Sequence, residues 1–332
     1  MVISSPRRAN HWRPGAAGVA AALAMLFGVL AMVDRSSGQA DARSRHDGDT
    51  VTVVATTSVL ADFARIVGGD EVEVRGLIRP NVDAHDFDPS PADLEALARA
   101  DVILANGLGL EPWLDAAVEA AGSRVRVTDT STGVHLVDLD GDPVSDPDTT
   151  TGGVNPHIWL DPRNARVMSA TVTEAIAAAL TTRPDGATEV RTRGAAYDRQ
   201  LARLDSELAR QLGGLTHRSL VTDHDAFAYF AQRYDLEVVG TVIPSFDTAA
   251  EVSAGDLADL ADTVERTGTR AVFTEQALQP DDARALARRT GIEVVSGHDG
   301  LLGDSLAPAG SPGDTYLTMM RHNATAIARN LR

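Results

Sequence analysis

Short apolar runs alternate with amphipathic segments along most of this chain. Residues 51–55, 73–78, 101–105 and 125–127 read as strands. Residues 59–67, 91–100 and 111–121 read as helices between them, the second capped by Ser90 and the third stopped by Gly122. Residues 162–180 predict another helix, which residues 182–186 break at Pro184 and Gly186. A longer helix is expected over 187–212, where Val190, Tyr197, Leu201, Leu204, Leu208 and Leu212 form one apolar stripe ending at Gly213-Gly214. The alternation then resumes, with strands at 219–221, 236–240, 270–274 and 292–295. Helices at 226–234, 254–267, 281–290 and 315–331 separate and follow them. Strands interleaved with helices predict parallel sheets covered on their faces. The expected fold is α/β, with two lobes, each a roughly four-stranded, mostly parallel sheet flanked by helices. They occupy residues 50–184 and 215–332, and a long helix over 185–214 joins them.

The N-terminus departs from this pattern. Arg7, Arg8 and Arg13 precede an apolar run over 16–33 and a small-residue stretch over 36–40. That order is a secretory leader's, with Ala40 as its expected last residue and 41–49 as a polar tether. An uncleaved membrane anchor is the other reading of the same run. Both place the rest of the chain outside the cytoplasmic membrane, in the periplasm or at the cell surface. Residues 136–154 are acidic and rich in Gly, Asp and Thr, the composition of a surface loop or a lid.

Composition narrows the chemistry. None of the 332 residues is cysteine, which excludes disulfides, thiolate metal sites, cysteine nucleophiles and a lipid-modified cysteine in this chain. The net charge of −17 opposes nucleic-acid binding and favours attraction of cations. No His-Glu-x-x-His helix or nucleophile elbow is present, which counts against a secreted zinc hydrolase. A surface module using zinc only for structure is a third class.

Four constrained segments each offer one metal-binding side chain. His85 follows the second strand between Pro80 and Pro89, at the strand end where open α/β sheets place ligands. His157 lies between Pro156 and Pro162, with Trp159 to pack beneath it and Asp161 to cap the next helix. His224 directly follows a strand, between Asp223 and Asp225, either of which can orient an imidazole through its second nitrogen. Asp304 sits after the last strand beside Gly303; His298, Asp299 and Glu275 are rivals for its place, and Glu275 reads equally as a buried hydrogen-bonded carboxylate. Three imidazoles and a carboxylate complete a tetrahedral shell, which holds an ion where an open shell would use it.

These segments resemble the extracytoplasmic solute-binding receptors of zinc and manganese ABC importers, from about Val51 to the C-terminus. The most specific match is Asn155-Pro156-His157-Ile158-Trp159-Leu160-Asp161-Pro162. The loop over 79–89, the Asn-Gly…Glu-x-Trp stretch over 106–113, and the segments over 223–230 and 303–323 agree as well. The resemblance implies two α/β lobes on one long helix and His85, His157, His224 and Asp304 as ligands. It also implies an ion handed to a membrane permease with its cytoplasmic ATPase. The chain is expected to act as a monomer and not as an enzyme. Many zinc receptors of this family carry a histidine-rich loop before the second ligand; residues 136–154 hold no such run. Manganese receptors of the family tend to place a carboxylate where this chain has His224. Three nitrogens and one oxygen therefore point to Zn2+, with Mn2+ as the alternative.

Overall fold

Two four-stranded sheets, all parallel, account for the alternation. The first contains β1 (Val51–Ala55), β2 (Val72–Gly76), β3 (Val102–Ala105) and β4 (Val127–Asp129), in the order β2-β1-β3-β4. An antiparallel hairpin follows, β5 (Leu136–Val137) with β6 (Pro143–Val144). The second sheet contains β7 (Ser219–Thr222), β8 (Glu237–Thr241), β9 (Ala271–Phe273) and β10 (Glu293–Val295), in the order β10-β9-β7-β8. This computed structural model describes residues 50–138, 141–144 and 153–332. The predicted leader and tether lie outside the described residues, as does part of the acidic loop. Among the described residues no helix is long and apolar enough to cross a membrane.

The helices are α1 (Ser58–Gly68), α2 (Pro91–Arg99), α3 (Leu114–Ala120), α4 (Pro162–Ala179), α5 (Pro184–Leu212), α6 (Ala228–Tyr234), α7 (Ala254–Thr267), α8 (Asp281–Thr290) and α9 (Tyr316–Asn330). Helix α5 starts three residues before the expected position, at the proline taken for a breaker. A proline in the first turn lacks only an N–H that would have no helical partner, so it opens the helix. Its 29 residues span about 44 Å. The stripe of Val190, Tyr197, Leu201, Leu204, Leu208 and Leu212 is buried along its length.

One apolar core runs beneath both sheets. Val53, Phe63 and Leu104 from the first half belong to the same cluster as Leu220, Phe230 and Phe273 from the second. Helices α5 and α9 supply its middle, where Phe63 meets Tyr197 and Tyr316 edge-on at 5.8 and 5.1 Å. Smaller clusters cover the outer faces, around Ile103 and Leu97 on one sheet and Val272 and Leu286 on the other. Burial on both faces explains why the inner strands β1, β3, β7 and β9 are nearly continuous apolar runs, while the edge strand β2 alternates.

Candidate metal centre

The loops leaving the carboxyl ends of β2 and β7 converge with the entry to α4 and the segment after β10. His157 is the best fixed of the side chains they carry. Its Nδ1–H donates to Asn155 Oδ1 at 2.8 Å, which leaves Nε2 bare and aimed into the centre. Asn155 is fastened in turn by its Nδ2, which donates to the carbonyl of Asp225 at 2.8 Å, and by its carbonyl, which accepts from the Tyr229 hydroxyl at 2.7 Å. Asn106 Nδ2 donates to the Pro156 carbonyl at 2.9 Å, and Glu111 accepts from the Asn106 and Gly107 N–H groups. The Asn-Gly…Glu stretch thus holds the neighbouring His157 segment in place. Asp161 caps α4 as expected, accepting from the Arg163 N–H at 2.8 Å.

His85 is carried on a loop pinned at two points. Asp83 accepts from the His85 N–H at 2.9 Å and from the Thr248 hydroxyl, in the second half, at 2.6 Å. The Asn81 N–H donates to the Leu306 carbonyl at 2.8 Å, a second tie across the halves. A cavity of about 260 Å³ opens beside His85, between Leu108, Pro112, Val154 and Phe246. His85 is the exposed edge of the cluster at 8% side-chain accessibility, while His157, His224 and Asp304 are buried.

The four side chains selected from the sequence meet. His157 Nε2 lies 3.2 Å from His85 Nε2, 3.3 Å from His224 Nε2 and 3.1 Å from Asp304 Oδ1. His224 Nε2 is 3.4 Å from Asp304 Oδ1, and His85 Nε2 is 3.8 Å from Asp304 Oδ2. A tetrahedral ion with ligands at ~2.0–2.1 Å needs vertices ~3.3–3.4 Å apart. The four separations of 3.1, 3.2, 3.3 and 3.4 Å lie close to that edge, and the 3.8 Å between His85 and Asp304 is longer. Neither oxygen of Asp304 has a well-aligned hydrogen-bond donor, so the buried carboxylate is unsatisfied without a cation.

Electrostatics divides the imidazoles. Burial pushes His157 down to about 4, against the pull of Asp304, so it is neutral near pH 7. Burial would depress His224 too, but the charges of Asp304 and Glu275 outweigh it and hold this ring well above the ordinary histidine value. Burial opposes ionisation of Asp304, yet His224 and His157 keep it well below the ordinary carboxylate range. Glu275 is pushed well above that range by burial and then by the charge of Asp304. A cation among the four donors relieves the repulsion between these carboxylates.

The rivals for Asp304's place do not join the four-residue cluster. His298 and Asp299 occupy an exposed turn, Gly297–Asp299. Glu275 is buried on the far side of His224, 3.3 Å from its Nδ1. Asp223 ties backbone: its carboxylate accepts from the N–H groups of His224 at 3.0 Å and Glu275 at 2.6 Å. The other described histidines, His135, His217, His298 and His322, do not join the cluster.

Comparison with known proteins gives this geometry a context. The profile of the zinc-uptake complex component A (periplasmic) family, ZnuA, matches residues 53–330. The chain belongs to that family. As a ZnuA-family protein it is the substrate-binding component of a metal ABC transporter, and such components work with a permease and an ATPase. The zinc-binding protein TroA of Treponema pallidum is 31% identical over 317 residues, covering 93% of this chain and 97% of TroA. The manganese-binding lipoprotein MntA of Halalkalibacterium halodurans is 28% identical over 306 residues, covering 91% and 96% of the two chains. The solved structure of periplasmic zinc-binding TroA matches with a TM-score of 0.75 at 28% identity, over 85% of this chain and 99% of that one. These ZnuA-family relatives are receptors, not enzymes, and they are named for different metals.

Proposed function

We propose that this receptor captures Zn2+ outside the cytoplasmic membrane, binding it through Nε2 of His85, His157 and His224 and the carboxylate of Asp304, and delivers it to a membrane permease. The observation that carries the reading is the set of donor separations around His157, 3.1, 3.2 and 3.3 Å, which match the edges of a zinc tetrahedron. Three nitrogens and one oxygen suit zinc better than a harder ion. A filled shell leaves no position for a reacting water, in keeping with carriage of the ion as cargo. The cavity beside His85 is the route of entry. A core shared by both sheets suits loop movement at that mouth in place of wide opening of the halves.

Mn2+ is the second reading, favoured by one feature. Both oxygens of Asp304 are free of strong donors and can turn together to an ion that prefers more oxygen. Native mass spectrometry of the purified protein under Zn2+/Mn2+ competition separates the two. The zinc reading expects one Zn2+ per chain retained against excess Mn2+; preferential retention of Mn2+ overturns it. Asp304→Ala is expected to abolish tight binding and to show no turnover of model esters.

A further inference from the structure

The most unusual group outside the four donors is Glu275. It follows β9, is 2% exposed, and carries a carboxylate on the far side of His224 from the centre. Its two oxygens have separate tasks. Oε2 accepts from the backbone N–H groups of Gly303 and Asp304, both at 3.0 Å. Oε1 has no hydrogen bond in good geometry and faces His224 Nδ1 at 3.3 Å, which is likewise unsatisfied. The approach is close because residue 303 is glycine: a methyl group there would fall on Oε1.

We infer that Glu275 is a positioning residue that fixes two donors at once, the tautomer of His224 through Oε1 and the backbone of Asp304 through Oε2. The inference rests on the reading that His224 and Asp304 hold the ion. An imidazole binds a metal through a nitrogen that carries no proton. A carboxylate at Nδ1 keeps the proton there, leaves Nε2 bare, and strengthens it as a donor. His157 gets the same service from the neutral amide of Asn155. Glu275 therefore couples the aim of His224 to that of Asp304.

Glu275→Gln is a discriminating substitution because the amide cannot serve both partners. If its oxygen stays on Gly303 and Asp304, its NH2 meets the Nδ1–H of His224. If it flips, NH2 meets two backbone N–H groups. Zn2+ affinity, measured by competition with a chromophoric chelator, is expected to fall about 10–100-fold. The urea midpoint of the ion-free protein checks that the variant folds. A readout in the unsubstituted protein needs no variant. In the Zn2+-loaded chain, proton–nitrogen correlation spectra of ¹⁵N-histidine should show His224 with a protonated, slowly exchanging, downfield Nδ1–H and a metal-bound Nε2. A protonated Nε2, or Nδ1 on the metal, overturns the inference whatever the fate of the variant. So does a folded Glu275→Gln protein with unchanged affinity and spectrum. Unchanged affinity in His224→Ala would instead remove the ligand reading, and the role of Glu275 with it.

Discussion

The two halves of this protein contribute to one centre by opposite means. The first half supplies His85 and His157, and the side chain that orients His157 is the neutral amide of Asn155. The second supplies His224 and Asp304, with the carboxylates of Asp223 and Glu275 packed around them. Burial pushes His157 down to about 4, whereas at His224 burial is outweighed by the charges of Asp304 and Glu275, which hold it well above its ordinary value. His157, neutral at physiological pH, is ready for a cation there. An anionic side gives the charge that makes the cation worth desolvating. Neither half alone offers both.

Removing the charge from the second half should cost the most. Asp304→Ala leaves three imidazoles with no compensating anion, and Zn2+ affinity is expected to drop more than 100-fold, beyond the ~10–100-fold typical of changes one shell further out. Titration calorimetry checks this, and a smaller loss would make the first half the principal holder. Asn155→Ala tests the neutral side. It strips His157 of its Nδ1–H acceptor and should cost about 10–100-fold.

Proton competition separates the halves without mutation. His157 is neutral throughout pH 5–8, because its value lies at about 4. His224 is raised, so the ion-free centre carries a proton that the ion must displace. Affinity should rise with pH and fall as pH drops from 8 to 6, by at most about tenfold per unit for one displaced proton. Flat affinity over that range would show that the second half takes up no proton. The mildest change is Thr248→Val, which removes the donor to Asp83 across the two halves. Loss of a hydrogen bond to a charged group costs about 1.5–3 kcal/mol at most when buried. At this part-buried position a few-fold faster release of Zn2+ is expected, measurable by stopped-flow chelation.

Much of this was legible in the sequence because the inner strands are buried on both faces and the long helix carries an unbroken stripe. The donors were legible for a different reason. Each sits at a strand end or helix entry, fixed by proline, glycine or a short polar segment. What escaped was the partnership behind the donors. Asn155 stands two residues from His157 in the Asn-Pro-His motif, yet its amide gives no sign in one dimension that it accepts from the ring. Glu275 was readable as a rival ligand or as a buried hydrogen-bonded carboxylate, but its partner was not, since 29 residues separate it from the Asp304 N–H it accepts. Asp223 was expected to orient His224 through the ring; its carboxylate lies 3.5 Å from Nδ1 and also holds backbone, which sequence alone does not show. Pro184 was misplaced because a proline that starts a helix and one that stops it look alike without knowledge of what lies on either side.

The apolar seam beneath both sheets has a thermal corollary. Phe63 of one half and Tyr316 of the last helix touch, and Tyr197 of the long helix packs on the same ring. Stripping either sheet of its packing exposes the other, so residues 50–332 should melt in a single cooperative endotherm. An ion bound at the buried centre would then lift that one midpoint by mass action, with the logarithm of its concentration over the dissociation constant. Calorimetry with and without Zn2+ would register occupancy as a displaced peak and never as the appearance of a second.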